Sequence, residues 1–369
     1  MNQLFRWDQT GLFLLALAAG ILPFAVPEVC AAALREGLAL CSGPLLLSLF
    51  PFLVVSRLLI QCPESDLLAL PFRLAAWGIG IRTPCAARVL CIGFLGGFAP
   101  AASAAAQAVR TGQLTVEEAD ALLPACICSG PSFVVLTVGQ SLLGSAELGV
   151  LLFASQITAN YLTAALLNRF AGVRSVKLGS VAPAFPAPPR LDEILADAAI
   201  TYCKLCGFIL FFRMLAAGAG TLLPAGAGTL CSILLEVCSG CDLASRTGRW
   251  GSLLCCAALS VQGLSVLLQV RTICPPEMTL RPLYRSRLLH LPLSLALFYL
   301  LLPGGEADVF STLPARVLLM RRVPPDCALL VFAVCCMAAC TLRSGIRQVE
   351  QKQMARNAGG CCINSKTLL

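Results

Sequence analysis

The chain is poor in charge: Asp, Glu, Lys and Arg make up 12% of its 369 residues, whereas hydrophobic residues make up 58%. So few charges cannot clothe a soluble globule of this length, and that class is excluded. Histidine is almost missing, with His290 alone in the chain, so a histidine-rich metal centre lacks its ligands. A phosphate-binding loop, a dinucleotide fingerprint and a Ser/His/Asp set are also lacking. The sequence therefore gives no sign of an enzyme, of a cofactor or of nucleotide-powered transport. The strand alternation of an outer-membrane barrel is absent too.

What is present is a series of apolar runs separated by short polar turns, with a mean hydropathy of +0.83. Runs of about 17 to 25 residues match helices that cross some 30 Å of hydrocarbon, so the expected fold is an all-α polytopic membrane protein. The formal charge of +8 is scattered through loops and a tail instead of forming one face, so nucleic acid is not an expected partner. Most of the 21 cysteines fall inside apolar runs, where they act as small hydrophobes. The spacings Cys203-Lys-Leu-Cys206 and Cys238-Ser-Gly-Cys241 leave a membrane thiol oxidoreductase as a minor alternative.

About eight spanning helices are expected, near residues 11–27, 41–60, 122–143, 147–168, 196–223, 250–270, 288–303 and 325–342. Residues 67–81, with Arg73 and Trp77, suit a helix lying in the interface. The first apolar run follows Arg6 without a convincing cleavage site and reads as a retained helix. A first half (1–170) and a second half (196–343) are joined by a proline-rich linker (171–195) and followed by a basic tail (344–369). Placing both termini and the linker on the cytoplasmic side puts most of the 27 lysines and arginines there, as the positive-inside rule requires.

Glycine and proline interrupt several apolar runs. Residues 84–109 carry Gly93, Gly96, Gly97 and Pro100 near their middle, and a re-entrant hairpin is preferred over one long helix. Under the topology above, a second hairpin at about 226–243 enters from the opposite side. Each hairpin precedes a polar break, Ser129-Gly130-Pro131-Ser132 in the first half and Gln262-Gly263-Leu-Ser265 with Gln269 in the second. Two similar units of opposite orientation form the inverted repeat of secondary transporters, and the breaks mark a binding site at membrane depth. A packing kink is the plainer reading of either break taken alone. Glu236 lies in an otherwise apolar segment, either as an ion, proton or substrate site or as a structural partner of Arg213. Arg213, near the middle of its run, is a candidate for a substrate carboxylate, while Lys204 is placed to snorkel.

These residues resemble a known family. Leu49-Phe-Pro-Phe-Leu-Val-Val-Ser56, Gly93-Phe-Leu-Gly-Gly-Phe98, Thr111-Gly-Gln-Leu-Thr-Val-Glu-Glu-Ala119 and Cys128-Ser-Gly-Pro-Ser-Phe133 look like the YlbJ-type sporulation integral membrane proteins of the nucleoside-recognition (Gate) families. Members are similar to concentrative nucleoside transporters. Residues 45–170 carry the stronger likeness and 230–270 a looser one. The resemblance implies carriage of dipicolinate across the outer forespore membrane of the mother cell, with a nucleoside as the runner-up cargo and a non-transporting scaffold as the alternative from another class. It implies site residues Gly96, Gly97, Ser129, Gly130, Pro131, Ser132, Glu236, Ser239, Gly240, Gln262, Ser265 and Gln269. Arg213 joins them on membrane energetics alone. Two positions depart from the family pattern: Ala99 follows Phe98 where Pro is usual, and Gly130 stands where Asn is usual. Besides small-molecule substrate and lipid, a coupling ion (H+ or Na+) and homo-oligomer formation are left open.

Overall fold

The computed structural model describes residues 9–62, 65–171 and 191–302, which contain helices and no strand. The expected last span at 325–342, the basic tail and most of the linker lie outside the described residues. Four helical stretches are long and apolar enough to cross a membrane: Pro27–Leu47, Ala146–Ala171, Leu191–Leu222 and Gly248–Ile273. Large apolar side chains such as Phe24, Leu74, Phe170, Leu288 and Leu300 are exposed on the outside. Such a surface is a liability in water and ordinary against lipid, consistent with an integral membrane protein.

The first three helices are α1 (Gln9–Ala25), α2 (Pro27–Ser42) and α3 (Pro44–Gln61). Pro27 was expected to close the first span, but it occupies the first turn of α2, where its missing N–H costs nothing. The stretch read as an outer loop with Arg35 is therefore a helix. After α4 (Ser65–Leu68) and α5 (Leu70–Gly78) come α6 (Pro84–Gly96) and α7 (Phe98–Arg110), which meet at Gly97. A Cβ on Gly93 would lie 3.2 Å from the Ala101 side chain, so α6 and α7 fold back on one another.

Helix α8 (Val116–Cys126) starts on a capping box, with the Thr115 hydroxyl accepting from the Glu118 N–H and Glu118 reaching back to the Thr115 N–H. The chain then opens through Ile127–Gly130 and re-forms as a π-helix, Ser132–Leu142. Helix α9 (Ala146–Ala171) crosses it closely, because Gly139 and Gly149 meet backbone to backbone. A Cβ on Gly149 would come within 2.7 Å of the Val135 Cα and 2.8 Å of its carbonyl. Gly149→Ala is thus expected to force the two helices apart, with a loss of about 1 to 3 kcal/mol. Thermal unfolding in detergent checks this, and an unchanged midpoint contradicts it.

The second half follows the same plan. Helix α10 (Leu191–Leu222) leads to α11 (Ala225–Leu235) and α12 (Val237–Ser245), which meet at Glu236 and fold back, with Gly240 against Ile233. Helices α13 (Gly251–Val261) and α14 (Gly263–Ile273) are separated by Gln262 in the left-handed region at φ 67°. Helix α15 (Arg281–Leu301) completes the described chain. Its start is fixed by Asp120 of α8, whose carboxylate accepts from the Thr279 N–H, the Thr279 hydroxyl and the Leu280 N–H at 2.7 to 3.2 Å. Leu280 is thereby held at φ 55°, a conformation that leucine adopts only under such constraint.

Candidate functional site

The four breaks sit in pairs, backbone against backbone. In the first half, Gly97 has φ 82°, and a Cβ there would lie 2.6 Å from the Gly130 nitrogen. In the second, Gly263 has φ 69°, and a Cβ would lie 3.0 Å from the Glu236 nitrogen and the Leu235 carbonyl. Each hairpin tip therefore abuts the break of the following helix, once in each half. Only glycine allows that approach at positive φ.

Between the two pairs lies a cavity of about 40 Å³, lined by Gly96, Phe98, Ser129, Gly130, Ser132 and Gln269, with Val237, Cys238, Val266 and apolar side chains of α3 and α10. The N-terminal ends of α7 and the π-helix face it with the positive ends of their dipoles, while that of α12 is already met by the Glu236 carboxylate. Gln269 is buried, its amide nitrogen donates to the Ser265 hydroxyl at 2.9 Å, and its Oε1 meets no donor among the described residues. The Ser239 hydroxyl, also buried, is likewise without a partner there. A space of this size holds roughly three waters at 10 to 15 Å³ each, so a metabolite enters only after the helices separate.

Of the residues expected from the sequence, Gly96, Ser129, Gly130, Ser132 and Gln269 reach the cavity wall. Gly97, Glu236 and Gln262 form the breaks behind it, Gly240 and Ser265 lie inside α12 and α14, and Pro131 caps the π-helix. Glu236 is buried, and its two carboxylate oxygens accept from the Cys238 and Ser239 N–H groups at 2.9 and 2.7 Å. It is the N-cap of α12 and pairs with no cation among the described residues. Arg213, the alternative partner, is turned elsewhere: it donates to the Glu36 carboxylate at 2.7 Å. Gly37 makes room for it, since a Cβ there would touch the Arg213 Cδ at 3.3 Å. Arg213 is absent from the cavity lining, and its charge is met by α2, a helix the sequence reading had taken for a loop.

A second, more polar chamber of about 180 Å³ is lined by Arg57, Ser103, Gln107, Arg110, Asp197, Thr201 and Lys204. Asp197 is engaged by Arg57, and neither Arg110 nor Lys204 pairs with a carboxylate among the described residues, so the chamber carries a positive excess. Lys204 thus borders this chamber. One apolar cluster, Leu49, Leu53, Ala99, Leu205 and Ile209, divides the two spaces: Leu49 and Ile209 line the inner one and Leu205 the outer.

Three further residues carry polar chemistry that the sequence reading did not assign to the site. Arg287, just ahead of the span expected at 288–303, is buried on α15 and donates to the Ile127 and Ser260 carbonyls and to Asn160 Oδ1. His290 is fully buried, with Nε2 at 3.2 Å from the Gln156 carbonyl, and Gln156 in turn donates to the Ser260 hydroxyl. No cluster of metal ligands occurs among the described residues, and Cys203 and Cys206, like Cys238 and Cys241, are free thiols. No family model, curated protein or solved structure matches the chain.

Proposed function

We propose that the chain is a membrane transporter that moves a small anionic metabolite by alternating access. Following the resemblance drawn from the sequence, the cargo is dipicolinate and the membrane is the outer forespore membrane. The observation that carries the reading is the convergence of paired helix breaks on one cavity. Breaks at membrane depth are tolerated where they line a binding site, and half-helix N-termini favour anionic groups. The cationic outer chamber adds to it, because excess positive charge in a cleft concentrates anions before they reach the narrow site. In this reading α6/α7 and α11/α12 re-enter from opposite faces, about eight helices span, and both termini are cytoplasmic. Arg57, Arg110 and Lys204 then face the mother-cell cytoplasm, from which the anion enters.

Purified protein in proteoliposomes, offered radiolabelled dipicolinate or uridine, tests this directly. Time-dependent dipicolinate uptake is expected. Uridine uptake without dipicolinate uptake replaces the cargo by a nucleoside. Uptake of neither, from vesicles whose protein is folded by thermal assay, favours the scaffold and ends the transport reading.

A further inference from the structure

The mechanism above makes no use of Arg287, although an arginine buried on a helix of this kind demands a counter-charge. No carboxylate of the described residues pairs with it. Its partners are instead main-chain and amide oxygens. Nη1 reaches the Ile127 carbonyl at 3.5 Å and the Ser260 carbonyl at 3.4 Å, and Nη2 reaches Asn160 Oδ1 at 3.2 Å. Nε and Nη2 both lie 3.3 Å from the Ser286 hydroxyl.

Those two carbonyls occupy equivalent places. Ile127 caps the C-terminal end of α8 at the first-half break, and Ser260 lies in the last turn of α13 at the second-half break. A helix C-terminus carries about half a negative charge, so the two ends together offer about one, which matches a single guanidinium. Carbonyls freed at a broken helix, together with half-helix C-termini, are the ligand type that holds a coupling cation in secondary transporters. Asn160 joins the set from α9, also donating through Nδ2 to the Ile127 carbonyl at 3.4 Å. The placing of Arg287 is itself constrained, because Asp120 of α8 fixes the start of α15.

We infer that Arg287 is a tethered cation: its guanidinium fills, by covalent attachment, the meeting point of two half-helix C-termini that a monovalent coupling cation would otherwise occupy. Sodium then has no place between these breaks, and any coupling ion is a proton. The inference rests on reading the breaks as a transport site, but the cation position is measurable without any cargo.

The experiment follows the thermal midpoint of the detergent-solubilised full chain in NaCl against choline chloride at equal ionic strength, and in guanidinium chloride at low millimolar concentration. Wild type and Arg287→Lys are expected to show no sodium-specific shift. Arg287→Met, which keeps the stem and removes the charge, is expected to start from a lower midpoint and to regain roughly 3 °C on adding sodium or guanidinium. A sodium-specific rise in the wild type overturns the inference, even if Arg287→Met cannot be isolated. An Arg287→Met protein that folds and responds to neither cation overturns it as well. Uptake failure with these midpoint shifts intact would sink the transport reading alone.

Discussion

Replacing Gly97 by alanine is expected to abolish transport and to lower the yield of folded protein sharply. Two costs fall on the same atom. The positive φ of 82° disfavours a Cβ by about 1 to 2 kcal/mol. The added carbon would also lie 2.6 Å from the Gly130 nitrogen and 2.9 Å from its Cα, and backbone cannot swing aside as a side-chain tip can. Separating the hairpin tip from the Gly130 break raises the total to roughly 4 kcal/mol, the range of exceptional point mutants. Gly207→Ala is the control: this exposed helical glycine has nothing within 4 Å of an added Cβ, and alanine favours the helix there by up to about 1 kcal/mol. Uptake per folded molecule and the thermal midpoint measure both variants. A Gly97→Ala protein with native midpoint and flux contradicts the paired-break geometry.

The second large effect is expected at Glu236. Alanine removes the acceptor of two N–H groups in a buried first turn, at about 1 to 3 kcal/mol for each donor left unmet. Glutamine keeps one oxygen as acceptor and a second polar atom in the same volume. Glu236→Ala is therefore expected to lose stability and uptake together, whereas Glu236→Gln, which leaves one donor unmet instead of two, has a midpoint between those of wild type and Glu236→Ala and, in the transport reading, loses uptake about tenfold with the buried charge. Native flux in Glu236→Gln restricts the residue to its capping role.

The breaks are legible in the sequence because their causes are local. Glycine at positive φ and proline at a helix start act on the backbone itself, so Gly97, Pro131 and Gly263 are visible without any partner. The fold-back of α6 on α7 and of α11 on α12 follows from the same residues. What was not visible depends on which face a helix turns inward. Arg285-Ser-Arg287 reads as a loop end, and only the recurrence of Leu283, Arg287, His290 and Ser294 at helical spacing hints that one polar stripe is buried. Glu36 is hidden for a different reason: a proline after an apolar run reads as a terminator, whereas Pro27 opens α2, which carries the partner of Arg213. The outer chamber draws its charges from α3, α7 and α10, a convergence that no stretch of sequence records.

The glycine contacts also constrain how the protein can change over evolutionary time. Where Gly97 meets Gly130 and Gly263 meets Glu236, the facing atoms are main chain, so no side-chain substitution can reshape those walls by small steps. In the transport reading, drift in cargo preference is channelled to the lining side chains, among them Phe98, Ser129, Ser132, Phe133, Val237, Cys238 and Gln269. On that reading, relatives with different cargo should share the glycines and diverge at the lining side chains.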